Sequence, residues 1–473
     1  MQKYNAVIIG SGAAGYATAD RLLLNGVKNI AIITYDKNAG TSRNAGSDKQ
    51  TYYKLSCSDE DSPTKMAQAL SFGGGMHGDI AFVEAVNSMR CFNHLVEYGV
   101  PFPTDKYGRF IGYKTDHDNA CRGTSAGPLT SKYMTECLEK RVIGNKELTL
   151  LDETAVVRIV TENGKAVGVI ALQKDGDSYK LLPIQSKYVI TATGGAATVY
   201  RNTVYPDSQA GAFGLFADTG CKFCNLTEWQ YGIASVGVKW NLSGSYQQVI
   251  PTYYSVDEYG NKYEFLCDAF NDVTDACNNI FLKGYQWPFD SKKINGSSKI
   301  DIAVSREKSM NKKVYIDYRK NPNGFDFDKL STEAKEYLLS AGADGKNPFE
   351  RLKKLNPQAI DFFKSKGVDL SKEPLEIAVC AQHINGGADI DTNWQTSVEN
   401  LFAVGETAGT FGIYRPGGSA LNSTQVGALR VSEYIAQNDC YFACKDTVKT
   451  ALQEEKSYIE NCLKSKTIKR IFQ

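Results

Sequence analysis

The stretch Ala6-Val7-Ile8-Ile9-Gly10-Ser11-Gly12-Ala13-Ala14-Gly15, continued by Tyr16 to Leu24, decides how this chain is read. Residues 6–9 are an apolar strand, the glycines stand in Gly-x-Gly-x-x-Gly spacing, and the following residues carry an apolar face at helical period. Each glycine has a mechanical reason. The first makes the turn, the second lets backbone N–H groups approach a pyrophosphate, and the third lets helix and strand pack closely. Gly10, Gly12 and Gly15 fill those places, with Ala13 and Ala14 opening the helix. A second apolar run, Ile30-Ala31-Ile32-Ile33, comes at the distance expected of a parallel strand after a helical crossover. The unit therefore predicts a dinucleotide site. Its ribose-binding acid is expected at or just past the end of the second strand, where Thr34 and Asp36 stand.

Outward from this unit, Thr154 to Val160 and Val167 to Leu172 flank a turn bearing Asn163-Gly164 and predict a hairpin. Tyr188 to Thr193 is an apolar strand ending in Gly194-Gly195, and Leu401-Phe402-Ala403-Val404 is another ending in Gly405. Both strand ends are expected beside the first glycine turn. Between them lies a region richer in Tyr, Asn, Asp and Lys, with turns at Asp257 to Gly260 and Asn321 to Gly324. The expected fold is α/β: a Rossmann-type, glutathione-reductase-like domain (residues 1–230 and 371–436) with an inserted α+β capping domain (231–370) and a helical tail (437–473).

The 473 residues include 54 basic and 53 acidic side chains, a balance that offers no positive field to gather phosphates and argues against nucleic acid. The first strand begins too early to leave room for a secretory signal ahead of it, and no apolar run approaches the roughly 18 residues of a membrane span. A cytoplasmic protein is expected. Most of the twelve scattered cysteines read as reduced, buried small hydrophobes. Cys221-Lys222-Phe223-Cys224 has no second pair at zinc-ligand spacing, so no metal site is expected.

The run Asn400 to Gly409, together with Thr191 to Gly195, turns the dinucleotide reading toward a flavin. With these motifs in order, the chain to about residue 436 resembles the fumarate reductase and succinate dehydrogenase flavoprotein family, which also contains L-aspartate oxidases and 3-ketosteroid dehydrogenases. The resemblance implies FAD, with Thr41, Ser42, Val156, Thr193, Gly194, Gly195 and Gly405 among its contacts and Glu406 on its ribityl chain. It also implies that Gly417-Gly418-Ser419-Ala420-Leu421 runs under the flavin ring into a helix, whose positive N-terminus stabilises the anionic reduced flavin. Members that attach flavin covalently use a histidine in the loop matching Ala39 to Gly46; this loop has none, which implies noncovalent FAD.

In the same family a substrate carboxylate is held by the histidine of a His-x-x-Gly-Gly segment and the arginine of an Arg-x-Gly-Gly segment. His383-Ile384-Asn385-Gly386-Gly387 and Arg415-Pro416-Gly417-Gly418 match them. A guanidinium fork pairs bidentately with a carboxylate, and imidazole can donate beside it. Two family features do not carry over. A further histidine expected just beyond Glu228 is replaced in the neighbourhood of Gln230 and Tyr231, and the family's proton-donating arginine position holds Asp301 in Asp301-Ile302-Ala303-Val304-Ser305-Arg306. Reducing an activated alkene still requires a positioned acid, for which Arg306, Tyr414 and Tyr231 are the candidates. Ketosteroid dehydrogenases of the same superfamily use a Tyr-Pro-x-x-Gly segment here, with tyrosine polarising a ketone, and this chain mixes both patterns, Tyr414 then Arg415.

The expected activity is hydride transfer from flavin N5 to a C=C bond conjugated to a carboxylate or carbonyl in a small unsaturated substrate. The chain has no second flavin stretch, haem motif or ferredoxin-like cysteine run, so a separate donor is expected: a reductase, a ferredoxin-like protein or free reduced flavin. The alternatives are a flavin dehydrogenase or oxidase of amino-acid or ketosteroid type, and a noncatalytic FAD electron-transfer protein. A disulfide reductase using Cys221 and Cys224 lacks a second nucleotide fingerprint.

Overall fold

Ala6, Val7, Ile8 and all of Ile30–Ile33 are buried, as strands covered by helices on both faces must be. In the computed structural model, which describes residues 1–58, 60–115, 118–196, 199–209 and 211–464, they form the centre of a seven-stranded sheet. Gln2–Ile9 runs parallel to Ile30–Ile33 on one side and to the second half of Ser178–Thr191 on the other. Leu148–Leu151 extends the sheet beyond Ile30–Ile33, and Leu401–Ala403 pairs in parallel with residues 189–191. The first half of Ser178–Thr191 leaves the parallel sheet and joins an antiparallel meander with Lys165–Asp175 and Thr154–Glu162. The expected hairpin is part of that meander, its turn made by Asn163 and Gly164, both at positive φ.

The close approaches the first motif calls for are present. Gly10 has φ +111°, and a Cβ there would stand 2.4 Å from the Ala192 carbonyl oxygen; a Cβ on Gly15 would stand 1.9 Å from the carbonyl oxygen of Gly10. Helix Ala13–Leu24 can therefore lie against the strand it follows. It packs in turn on helices Thr130–Val142 and Ser419–Gln437.

The capping domain has its own core, built from residues between Ile233 and Ile377. Its six strands all pair antiparallel, in the order Trp240–Asn241, Trp229–Ser235, Leu375–Ile384, Lys313–Asp317, Thr252–Val256, Lys262–Tyr263. Trp229–Ser235 runs across residue 231, the first bound expected for this domain, while Leu375–Ile384 begins beyond the second bound at 370 yet still pairs in the cap sheet, carrying His383 toward the first domain. In the tail, helix Lys445–Lys464 seats Val448 and Ala451 on Val160, Val167 and Ile170 of the meander. Among the described residues no helix is long and apolar enough to cross a membrane.

The two domains are joined at the loop that follows Ile33. Asp48, 4 % exposed, accepts hydrogen bonds from Ser245 Oγ and from Asn356 Nδ2 (2.7 Å), both in the cap. Trp240 of the cap stacks on Phe362 with ring centroids 3.6 Å apart, and a Cβ on Gly46 would run into its ring.

Candidate active site

A cavity of about 420 Å³ opens where the C-terminal ends of the parallel strands meet the cap, the location expected of a ligand site in an open α/β sheet. Its floor is the first motif. Gly10, Gly12, Ala13 and Ala14 line it, while Gly15 lies behind, packed on Gly10 as the third glycine should be. Helix Ala13–Leu24 has no side-chain cap at Gly12, and Ala13 N donates to Ser42 Oγ at 3.2 Å. Uncapped first-turn amides suit a pyrophosphate.

Thr34 and Asp36 both line the same end. Thr34 Oγ1 is 2.9 Å from Ser11 Oγ, and Asp36 is exposed, its Oδ1 accepting from Asn38 N at 2.8 Å. Thr41, Ser42, Val156, Thr193, Gly194, Gly405, Glu406, Gly418, Ala420 and Leu421 line the cavity as well. Gly195 and Ser419 stand just outside the lining but touch residues within it: a Cβ on Gly195 would meet Glu406, and Ser419 Oγ accepts from Arg415 Nη1 at 3.4 Å.

At the cap end the structure brings His383, Arg415 and Glu406 together. Asn385 Oδ1 accepts from His383 Nδ1 (3.1 Å) and from Arg415 Nε (3.4 Å), so one amide sets both substrate-site candidates. His383 and Arg415 also share the ring of Phe411, at 4.8 and 5.3 Å. Arg415 Nη2 donates to Gln230 Oε1 at 2.8 Å. Glu406 accepts from Tyr205 Oη and from Ile384 N (3.0 Å), with His383 Nε2 3.7 Å away. Burial pushes Glu406 up to about 7 against these favourable contacts. Burial first, then the Arg415 charge, hold His383 well below the usual imidazole range, so it is neutral at neutral pH. With Nδ1–H donating to Asn385, Nε2 is the bare nitrogen.

The three proton-donor candidates fall outside the cavity lining. Arg306 is exposed on helix Lys299–Ser309, whose buried face presents Ile300, Asp301, Val304 and Glu307, and Asp301 is closed in an ion pair with Lys283 at 2.5 Å. The structure does not bring Arg306 to the site. Tyr231 turns away from Arg415, its hydroxyl 2.8 Å from that of Tyr200. Tyr414 is half-buried beside Arg415, its hydroxyl 3.3 Å from Ser291 of the cap. Cys221 and Cys224 are free thiols, Cys224 pushed up to about 11 by burial.

Sequence reasoning missed Tyr205 and Gln209. Gln209 Nε2 donates to Thr193 O at 2.6 Å, and its Oε1 accepts from Thr41 N and Thr41 Oγ1, both at 3.3 Å, clamping two cavity walls. Neither residue sits in a recognisable motif.

The residues fit FAD by a test internal to the structure. The buried polar atoms without a hydrogen-bond partner among the described residues include Thr193 Oγ1, Asn241 Oδ1, Gln382 Nε2 and His383 Nε2, whose four residues all line this cavity. Buried polar groups ordinarily have partners, so their convergence marks a polar ligand.

Residues 5–243 and 292–421 match the model of the FAD binding domain family. L-aspartate oxidase of Clostridium perfringens is 24% identical over 468 residues, covering 96% of this chain and 93% of that protein. One component of the fumarate reductase (CoM/CoB) of Methanothermobacter marburgensis is 24% identical over 474 residues, covering 98% and 78%. A solved quinol-fumarate reductase with menaquinol shares the fold, with a TM-score of 0.74 at 19% identity over 98% of this chain and 76% of that one. The chain belongs to the FAD binding domain family and is an FAD-dependent oxidoreductase, similar to these L-aspartate oxidase and fumarate reductase proteins.

Proposed function

We propose that the protein reduces a C=C bond conjugated to a carboxylate or carbonyl in a small molecule, drawing electrons from a separate donor. The observation that carries this reading is the pairing of Arg415 with neutral His383 through Asn385, beside the start of helix Ser419–Gln437. A guanidinium grips a carboxylate, and drawing electron density toward that end polarises the conjugated alkene.

Bound FAD, held noncovalently along the glycine turn, Thr193-Gly194, Gly405-Glu406 and Gly418 to Leu421, supplies two-electron hydride chemistry at N5. The alkene takes up a hydride at one carbon and a proton at its neighbour, becoming the saturated compound. Arg415 fixes the carboxylate, and Phe411 backs both clamp residues with an apolar ring. Tyr414, the chain neighbour of Arg415 at the cavity's edge, is the candidate to pass the proton, its hydroxyl meeting the cap at Ser291.

A second reading rests on His383 Nε2. A neutral imidazole whose bare nitrogen is buried has no proton to supply there, and oxidation, the direction in the name of the L-aspartate oxidase relative, asks for none. Direction is tested anaerobically, by reducing the FAD-loaded protein with dithionite and following flavin absorbance as unsaturated acids and cyclic enones are added. Reoxidation by these acceptors supports the reductase. Bleaching of the oxidised protein by saturated acids or amino acids, with rapid return in oxygen, supports the oxidase.

A further inference from the structure

We infer that the substrate carries a single negative charge at this site: one carboxylate on Arg415, which Gln230 backs from outside the cavity lining, and, across the reacting bond, an uncharged group facing Gln382. The inference rests on the reading of Arg415 as a carboxylate clamp and narrows it to monoanions.

Among the described residues that line the cavity, Arg415 is the one permanent cation; the other formally charged side chains are Asp36, at the opposite end, and Glu406. A dicarboxylate needs two cationic partners, because a carboxylate taken out of water without one is strongly penalised. The groups around Arg415 and His383 do not offer a second. Gln230, Asn385 and Ser419 are neutral and already share the guanidinium fork. His383 is kept uncharged by burial beside Arg415. Gln382 has its Oε1 taken by Trp287 Nε1 at 2.8 Å, which leaves its Nε2 as one buried donor without a partner.

The nearby lysines are engaged elsewhere. Lys283 is fully buried in its ion pair with Asp301. Lys292 is exposed and lies over the Tyr414 ring, 5.3 Å from its centre. Neither lines the cavity. A neutral amide NH2 suits an ester, amide or ketone oxygen and leaves a second carboxylate without a counter-charge.

Gln230 is therefore assigned as the specificity residue. It sits on Trp229–Ser235 directly opposite His383 in the sheet register and reaches Arg415 from the cap side. A basic side chain in its place would provide the missing second cation.

Fumarate and monomethyl fumarate share the four-carbon unsaturated chain and differ by one charge, but the ester also activates the alkene more than a carboxylate does, so the affinities of the saturated pair, which involve no hydride transfer, decide the comparison. Reoxidation of the reduced holoenzyme by each gives kcat/KM, and calorimetric titration of the oxidised holoenzyme with succinate and monomethyl succinate gives affinity without turnover. The monoester is expected to exceed the diacid at least about 10-fold in both. Gln230→Arg should narrow or invert the ratio and Gln230→Asn should preserve it. Equal or better performance of the diacids in the wild-type protein overturns the inference and leaves the clamp standing. Failure of diacid, monoester and crotonate alike, with an uncharged enone still reduced, overturns the clamp itself and the inference with it.

Discussion

Replacing Gly15 by alanine tests the cofactor site at its tightest point. A Cβ there would lie 1.9 Å from Gly10 O and 2.9 Å from Gly10 C, against an ordinary contact of 3.4–4 Å, so helix and turn must separate by about 1.5 Å (3.4 − 1.9). The obstruction is backbone on both sides, and no flexible side chain can yield. Overpacking of this kind costs about 1–3 kcal/mol. The strain falls on the turn and the helix N-terminus that receive the pyrophosphate, so a mid-range cost of about 2 kcal/mol weakens FAD binding about 30-fold. The assay is titration of apoprotein with FAD, followed by flavin fluorescence, beside a thermal melt. Gly78→Ala is the control, because a Cβ there meets nothing within 4 Å. Wild-type FAD affinity in Gly15→Ala would falsify the assignment of the first motif to the cofactor.

Arg415→Lys keeps the charge but loses the fork to Gln230, Asn385 and Ser419, and should lower kcat/KM for a carboxylate acceptor about 10- to 100-fold, since hydrogen bonds to charged groups contribute about 1.5–3 kcal/mol; uncharged enones should be affected less. Asp48→Ala leaves Ser245 and Asn356 without their buried acceptor, so the cap should become sensitive to limited proteolysis and the melt should fall by the equivalent of about 3 kcal/mol; an unchanged digestion pattern would show that Asp48 does not hold the cap to the flavin loop. Burial pushes Glu84 up to about 8, so the folded protein holds a proton that the unfolded chain releases near pH 4.5. Its contribution to stability therefore declines as pH rises between those values, and Glu84→Gln should melt above wild type at pH 8 and level with it below about pH 4.5; a gap of the same size at both pH values would count against that burial. Gln209→Ala unclamps Thr41 from Thr193 and should weaken FAD binding several-fold, about 1 kcal/mol for the hydrogen bonds lost, with little change in KM for the acceptor.

What could be read from the sequence was what backbone geometry or charge dictates locally. Gly10 and Gly15 are glycines because nothing larger fits, and His383 and Arg415 lie in short segments whose Gly386, Gly387 and Gly418 pack too closely on Asn225, Thr407 and Thr51 to bear a Cβ. The residues that escaped are those that tertiary packing delivers. Tyr205 and Gln209 come from a connection with no period, and Asp48 acts through Ser245 and Asn356, some 200 and 300 positions away. Arg306 shows the opposite error. It stands five residues after Asp301 on one helix, about 140° around the axis at 100° per residue, so burying Asp301 against Lys283 turns Arg306 to solvent. Tyr231 was lost in a similar way: Gln230 reaches Arg415, and the next residue of the strand, past a bulge, points to Tyr200.

The most direct test of the central claim is a single turnover without oxygen. Protein carrying one equivalent of reduced FAD is mixed with excess monomethyl fumarate, and the products are weighed by mass spectrometry while the flavin spectrum is followed. The account predicts one saturated product, two hydrogens heavier, per flavin reoxidised, and loss of both signals together in Arg415→Ala. Flavin that stays reduced in the presence of every conjugated acid and enone, yet reoxidises with oxygen or a protein acceptor, would contradict it.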